Sequence, residues 1–576
     1  MNFAITRRTA ITRLTFGAGA ALLASDGGLS RAIGEGVAAG LPLGHRDSVP
    51  SSERPIGWRG DGSGAWPGAT PVAEWNAASG KNIAWKVAMP GPSFSQPIVV
   101  GGKVFTLADP NWLICLDAAD GKILWQKQVD HTAAMAPEVA AQAREAMTFW
   151  DDQFRQYAIW LDLKRGFQPK LPQAEIDRAV KAADEHEFAV NAPGQANFNM
   201  IKRGDPLWER LWSDQTKYSI HAFGHWEGIL TQTFPTPVSD GECVFVNMSN
   251  DQIACYDLDG ACRWLIRDRP AQAAPAKSEH VRYAMSPQLV GDRLIVAACG
   301  ELRAYDKRTG KKLWGVFHKK DFGAYWVKVS PPVPMRLALE GKPFDVLVSP
   351  GSGIYRLADG KLVGALPDLP GYEGATALTD GDIYVRKDAP DSGNGTRLGG
   401  RLKVVSADRV EFVELWRNFA RTKSGNTSDV LFDGWIYSPQ NATRVRLATG
   451  ENSELPLANG RYSAPVLGGR LLVTPGSGGY GHRENKPGVM AATVTPLDDP
   501  TAATKLDSAF VDRRYLEDDA FRLRWRWRGN GDAMSNSSPA FQANRMFFRT
   551  VGYLWCIGDP QQPWQSPRSA PSSPSL

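Results

Sequence analysis

Two short sequence phrases recur along the 576-residue chain, and their alternation limits the fold more than any other feature. The first phrase has a small residue and Pro, an apolar triplet, a turn containing Gly or Asp, and a second apolar run. It is found in residues 94–105 and 285–296, and in shorter form in residues 236–241 and 463–469. Gly-Gly, Gly-Asp and Asp-Gly accept positive φ and join short strands into hairpins. Each copy therefore predicts two antiparallel strands.

The second phrase opens with Asp, closes its turn with Gly and ends in Trp. Residues 115–125 and 304–314 carry it in full, and residues 256–264 carry a shortened form. Asp and Gly at these positions are typical of a tight turn, so this phrase predicts a second hairpin. Two hairpins make a four-stranded sheet of roughly 40 to 50 residues that is apolar on both faces. Such a sheet is stable only when neighbouring sheets stack radially on both sides.

Counting the first phrase predicts eight such sheets. They open near Phe94, Thr236, Ser286, Ser330, Thr376, Asp429, Ser463 and Ser538. The eighth sheet ends before a fourth strand, and residues 82–87 supply the missing one from the other end of the chain. This closure removes an open edge that would invite aggregation. We therefore predict an all-β fold, an eight-bladed β-propeller of four-stranded antiparallel blades.

One Trp is expected on the outermost strand of most blades. The expected positions are Trp85, Trp125, Trp264, Trp314, Trp416 and Trp527. The sheets near residues 354–357 and 445–447 lack this Trp and are interpreted as degenerate blades.

The pattern Asp-x-x-x-Gly-Lys-x-x-Trp resembles the tryptophan-docking repeat of the pyrroloquinoline-quinone-type (PQQ-like) β-propeller family, and the resemblance covers residues 58–559. Residues 57–64, with Trp75 and Trp85, resemble the start of exported bacterial members without a known reaction. The resemblance implies that the Trp rings wedge between adjacent blades and are structural.

Residues 131–232 interrupt the repeat between the first and second blades. Apolar residues recur there at steps of three and four, which predicts a helix whose buried face carries Ala143, Met147, Trp150, Phe154, Tyr157 and Leu161. Pro137 and Glu138 suit its first turn. A second helix is predicted from Pro172, with Ile176, Val180 and Ala183 on one side. Two roles stay open for this insertion: a lid or partner-docking element, and a decoration that covers one mouth of the ring.

The N-terminus resembles a twin-arginine export signal. Arg7 and Arg8 precede a modest apolar stretch rich in Ala and Gly, so residues 1–40 are assigned to a signal peptide and the start of a linker, which continues through residues 41–57. Removing Arg7, Arg8 and Arg13 with the leader lowers the net charge from +5 to about +2. This near-neutral charge gives no support for a nucleic-acid partner, and no apolar run is long enough for a membrane span. Residues 560–576 are rich in Pro and Ser and predict a disordered tail.

The family resemblance also implies a test for chemistry. Its enzymes hold the quinone between a Trp ring and a disulfide of two adjacent cysteines, with calcium shared by Glu and Asn and an Asp as base. The cysteines of this chain are Cys115, Cys243, Cys255, Cys262, Cys299 and Cys556, and none is adjacent to another. No catalytic residue or metal ligand can be carried over, so PQQ with calcium remains only an alternative cofactor.

Cys255 and Cys262 flank the turn of the second blade. A tight register would place them opposite each other, which leaves two interpretations: a cross-strand disulfide in an oxidising compartment, and two thiols. The sequence alone does not decide between them.

The candidate ligand contacts lie where loops can reach the mouth of the channel. They are His221, His225, Trp226, Arg282 and Trp326. The two His with the following acid could hold a metal, face a ligand, or take part in ordinary polar packing. For Arg282 and Trp326 the choice is between ligand contact and packing within or between blades.

These features together predict an exported, periplasmic monomer that acts as a non-catalytic binding or scaffolding module at the cell envelope. Its partner would be an envelope protein or a small ligand. The alternative is a PQQ-dependent alcohol or sugar dehydrogenase.

Overall fold

The structure of the chain is a computed structural model. The described residues are 40–188, 202, 204–218, 233, 235–248, 252–268, 285–298, 301–317, 331–349, 352–367, 378–387, 394–421, 428–438, 443–455, 465–476, 488–525 and 537–564. The twin-arginine segment and the predicted leader through residue 39 lie outside them.

The strands form eight sheets, as the repeats predicted. Two strands precede the first blade: β1 (Ala65–Trp66) and β2 (Ile83–Ala88). Blade 1 contains β3 (Ile98–Val100), β4 (Lys103–Ala108), β5 (Trp112–Asp117) and β6 (Ile123–Gln128). Blade 2 contains β7 (Val238–Ser239), β8 (Cys243–Met248), β9 (Gln252–Asp257) and β10 (Cys262–Arg267). Blade 3 contains β11 (Gln288–Val290), β12 (Arg293–Ala298), β13 (Glu301–Asp306) and β14 (Lys312–Phe317).

The next three blades follow the same order. Blade 4 contains β15 (Val333–Leu339), β16 (Lys342–Val348), β17 (Gly353–Arg356) and β18 (Leu362–Ala365). Blade 5 contains β19 (Leu378–Asp380), β20 (Ile383–Lys387) and the long hairpin of β21 (Asn394–Ser406) and β22 (Arg409–Arg421). Blade 6 contains β23 (Val430–Phe432), β24 (Trp435–Ser438), β25 (Thr443–Arg446) and β26 (Asn452–Glu454).

The last two blades each take a strand from the N-terminal region. Blade 7 contains β27 (Val466–Gly468), β28 (Leu471–Pro475), β29 (Val489–Pro496) and β30 (Thr504–Val511), with β1 parallel to β27 as a fifth strand. Blade 8 contains β31 (Ala540–Gln542), β32 (Arg545–Arg549) and β33 (Tyr553–Ile557). Its fourth strand is β2, antiparallel to β33 from Ile83–Ile557 to Ala88–Tyr553. The predicted closure of the ring is therefore confirmed.

The Trp residues on the outermost strands wedge between blades. Each described wedge donates its indole N–H to a backbone carbonyl in the next blade, over 2.8 to 3.1 Å. The five wedges are Trp85, Trp125, Trp264, Trp314 and Trp416. Each ring packs on a glycine that closes the turn of the neighbouring blade, where no Cβ would fit. Aromatic burial and a satisfied indole N–H make each wedge a strong contact between blades.

The wedge between blades 2 and 3 gives a first testable prediction. Gly310 has φ 71°, and an added Cβ would lie 2.7 Å from the ring of Trp264. Gly291 has φ 58° with open space around it, so Gly291→Ala is the matched control for the cost of positive φ. We expect Gly310→Ala to be less stable than this control by about 1–3 kcal/mol, the usual cost of overpacking. Equal decreases in melting temperature for the two variants would contradict the packing of Trp264 on Gly310.

The insertion after blade 1 is helical. It contains α1 (Pro137–Lys164), α2 (Gln173–Glu185) and α3 (Pro206–Tyr218). The predicted face of α1 is buried except for the partly buried Met147, but α2 buries Ala179, Ala182 and Ala183 and leaves Val180 exposed. Among the described residues, no helix combines the length and the apolar character needed to cross a membrane.

His131 lies at the junction of ring and insertion and is only 2% exposed. Burial lowers its pKa to about 4, against the opposing charge of Asp130. The unfolded chain binds this proton near pH 6.5 but the folded chain does not, so stability is full above pH 6.5 and falls as the pH drops toward 4. We expect up to ~3 kcal/mol of acid destabilisation from this site. Urea unfolding at pH 7 and pH 4.5 should show a smaller loss for His131→Phe than for the natural chain; equal losses would contradict the assignment.

Three local expectations need correction. Cys262 lies opposite Tyr256, not Cys255, because Cys255 pairs with Trp264. The thiol of Cys255 instead contacts that of Cys243, and this hydrogen bond lowers the pKa of Cys243 and raises that of Cys255.

The other two corrections concern blade 7 and the tail. Blade 7 ends with β30, which carries no Trp, and it is followed by α4 (Arg514–Glu517) and α5 (Asp519–Trp525). Trp527 lies outside the described residues. The chain stays packed through Trp564, four residues past the predicted start of the tail, because this ring contacts Phe547 of blade 8.

Candidate functional site

The N-terminal segment, residues 40–66, lies across the channel that the first strands of the blades surround. Ile56 exchanges two backbone hydrogen bonds with Ser239 of blade 2. The N–H of Leu431 in blade 6 donates to Ser63, and that of Leu467 in blade 7 donates to Gly64. The segment thus adds short stretches of strand to the inner edges of several blades. Within residues 41–57, which the sequence assigns to a linker, Ile56 is paired in this way with blade 2.

Arg59 anchors this segment in the middle of the ring. Its side chain is fully buried, and it donates to the carbonyls of Pro465 (2.9 Å) and Asp429 (2.7 Å). Its backbone N–H donates to Oε1 of Gln96 over 2.7 Å. Burial lowers the pKa of Arg59 to about 10, against the charges of Asp429 and Asp61, so the guanidinium remains protonated at neutral pH. A positive charge therefore occupies the channel.

A buried ion pair fixes the segment to blades 2 and 3. Nζ of Lys307 lies 2.8 Å from Asp240 and donates to Oγ of Ser52 over 2.5 Å. Burial raises the pKa of Asp240, but the hydrogen bonds from Lys307 and from two backbone N–H groups outweigh it and lower the pKa overall. The segment is thereby held by side chains as well as by backbone pairing.

A cavity of about 480 Å³ remains between the segment and the blades. Its walls come from the segment and from the first strands of blades 1, 2, 3, 4 and 8, and they combine apolar and polar side chains. The volume is within the range typical of ligand pockets. On one side Arg336 and Asp345 form a bidentate ion pair at 2.8 and 3.0 Å, which raises the pKa of Arg336.

Two of the buried polar atoms that lack a hydrogen-bond partner among the described residues lie at the cavity wall or beside it. They are Oε1 of Gln542, which lines the cavity, and Nε1 of Trp66, which packs on Phe541 of the cavity wall. The side chain of Gln542 is 4% exposed. Buried polar groups are normally satisfied, and an unmade bond costs about 1–3 kcal/mol. The cavity therefore offers an acceptor that a bound molecule could use.

The sequence-based candidates lie elsewhere in the chain. All five fall outside the described residues: His221, His225, Trp226, Arg282 and Trp326. In sequence they belong to the connections that precede the first strand of a blade. These five residues therefore stay predictions. In the described part of the chain, no cluster of three or more His, Cys, Asp or Glu could hold a metal.

The described residues do not fit a quinone in the manner that the family resemblance implies. No two cysteines are adjacent, and the described ones lie on the second, third or fourth strands of their blades rather than along the channel. Cys115, Cys255 and Cys556 are buried on third strands. Burial raises the pKa values of Cys115 and Cys556, and the hydrogen bond with Cys243, together with burial, raises that of Cys255. No step is therefore derived through this cofactor.

Sequence reasoning missed the segment because its signal is weak. From the sequence, the Gly-rich run of residues 57–64 indicates only a resemblance to exported members of the family. The one sequence signal for this segment is an Arg among four glycines, which indicates that the backbone approaches another group closely. In the structure Gly64 has φ 76°, and a Cβ there would lie 2.0 Å from the guanidinium of Arg59.

These features define a closed PQQ-like β-propeller whose channel is crossed by its own N-terminal segment. A family model described as "Outer membrane protein assembly factor BamB" matches residues 60–166 and 201–399, more than half of the chain. The chain therefore belongs to this family. Comparison with curated proteins gave no match.

Solved structures match the chain at low identity and with low TM-scores. BamB from Moraxella catarrhalis is 10% identical, with 83% of this chain and 97% of that chain covered and a TM-score of 0.42. A computationally designed protein, Ika8, is 8% identical over 82% and 98%, with a TM-score of 0.42. A europium-containing methanol dehydrogenase is 11% identical over 87% and 98%, with a TM-score of 0.36.

Proposed function

We propose that this chain is a non-catalytic binding or scaffolding module of the cell envelope. The observation that carries the proposal is the channel itself: Arg59 and its segment fill the middle of the ring and leave a cavity beside them. A cavity of this size is suited to holding part of a partner. Membership in a family described by an outer-membrane assembly factor supports the same role.

The proposal is tested against its alternative, a PQQ-dependent alcohol or sugar dehydrogenase. The purified mature chain is mixed with PQQ and calcium, and bound-quinone absorbance and dye-linked oxidation of alcohols and sugars are measured. We expect neither. Stoichiometric quinone binding with turnover would replace the scaffold by the enzyme.

We also propose that the chain is exported to the periplasm through its twin-arginine leader and acts there as a monomer. In cells that express the full chain, Arg7→Lys combined with Arg8→Lys should retain the protein in the cytoplasm, because the receptor reads the paired guanidinium groups. Arg13→Lys is the matched control, and fractionation followed by immunoblotting is the readout. Equal export of the two forms would exclude this route.

A further inference from the structure

We propose that the cavity accepts an extended peptide of a partner protein, which adds a strand to the inner edge of β11 in blade 3. This inference rests on the proposed binding function and names the kind of partner. Strand addition uses backbone hydrogen bonds for affinity and side-chain pockets for specificity.

The register of the blades identifies the free backbone group. In blade 7, Leu467 lies opposite Leu472, one pair before the turn, and its N–H points away from the ladder to Gly64 of the N-terminal segment. Leu431 holds the same position in blade 6 and donates to Ser63. The chain itself therefore shows that this edge position accepts a strand inside the channel.

Leu289 is the equivalent residue of blade 3, because it lies opposite Leu294, again one pair before the turn. It lines the cavity, and its N–H makes no hydrogen bond with any described residue. The neighbouring wall in blade 4 carries Pro334, which has no N–H to offer. Val99 of blade 1 and Phe541 of blade 8 hold the same register position and also line the cavity, so β11 is one of three such edges and the one beside blade 4.

The side chains around this edge indicate what the peptide carries. Only part of the walls is apolar, so alternate residues of the peptide, those that face this part, should be apolar. Oε1 of Gln542 offers a buried acceptor at the blade 8 wall. Glu53 is exposed at the rim and makes no hydrogen bond with any described residue, while Asp345 is already paired with Arg336. A Lys or Arg in the peptide would complement Glu53.

The experiment uses the mature full chain and a phage library of random heptapeptides. The best enriched sequence is synthesised in two forms, one natural and one N-methylated at alternate residues, which removes backbone donors and keeps the side chains. We expect β-prone, apolar sequences with a basic residue, and at least about tenfold weaker binding for the N-methylated form.

Protein variants identify the edge. Leu289→Pro removes the N–H that points into the cavity and leaves the ladder to β12 intact, as Pro334 does in blade 4. Leu289→Val is the matched control, since it keeps the N–H. We expect Leu289→Pro to weaken binding about tenfold or more and Leu289→Val to change it little.

Either of two results would overturn the inference: no enriched sequence, or equal binding by the natural and N-methylated peptides. The N-methylated peptide needs no protein variant, so a Leu289→Pro chain that failed to fold would not obscure the outcome. If no peptide binds in this way and the chain also shows no quinone turnover, the scaffold proposal would stand, and the partner would bind at another surface.

Discussion

A chain that begins at Met89 is expected to aggregate, because it lacks both β2 and the N-terminal segment. Without β2, the edge of β33 is open along its length, including the backbone of Leu554 and Trp555. An open apolar edge pairs readily with other chains. The same deletion removes Trp85, whose ring seals blade 8 against blade 1 and whose N–H donates to Ala118.

Two further truncations separate the causes. A chain that begins at Gly40 keeps every described contact and should behave as the mature protein does. A chain that begins at Pro71 loses the segment but keeps β2, so it should remain monomeric with a lower melting temperature. Size-exclusion chromatography and thermal melts decide the matter. A monomeric Met89 form with an unchanged melt would show that β2 does not close the ring.

The sequence predicted the ring well because the information for each blade is local. Strands of one hairpin are only a few residues apart, and the Asp, Gly and Trp of the second phrase mark the same turn and wedge in successive blades. Trp264 and Gly310 illustrate this, since the wedge and the glycine under it occupy repeat positions.

The site was not predicted because its contacts are distant and occur once. Arg59 contacts residues that are far from it in sequence: Gln96 is 37 residues away, Asp429 is 370 and Pro465 is 406. No repeat relates these positions. The register at the turn of blade 2 likewise pairs Cys255 with Trp264 and leaves Cys262 opposite Tyr256. Sequence reasoning instead selected polar and aromatic residues of the connections between blades, such as His221 and Trp326, which the described residues do not include.

The helical insertion is joined to the ring by a buried ion pair, and breaking it gives the second large expected effect. Nε of Arg522 in α5 lies 2.7 Å from Asp162 in α1, and the two side chains are 2% and 0% exposed. Burial lowers the pKa of Arg522, but Asp162 and Asp519 more than compensate and raise it. The guanidinium also lies over the ring of Phe167, at 4.5 Å.

We expect Arg522→Leu to destabilise the protein by ~3–5 kcal/mol, because it leaves the carboxylate of Asp162 buried without its cation. Asp162→Leu should cost less, since Asp519 still lies 2.8 Å from Arg522. The double variant should be more stable than Arg522→Leu alone, because apolar side chains of similar volume replace both charges. Glu414→Gln, in the exposed pair with Arg417, is the control and should cost below ~1 kcal/mol.

Thermal melts of the four variants give the coupling between the two residues, and limited proteolysis shows where stability is lost. We expect Arg522→Leu to expose α1 to cleavage before the blades, because α1 and α5 meet at this pair. Additive losses in the double variant would mean that the two charges do not stabilise each other. Coupled losses would favour an insertion fixed to the ring over a freely hinged lid, since opening would have to separate Asp162 from Arg522.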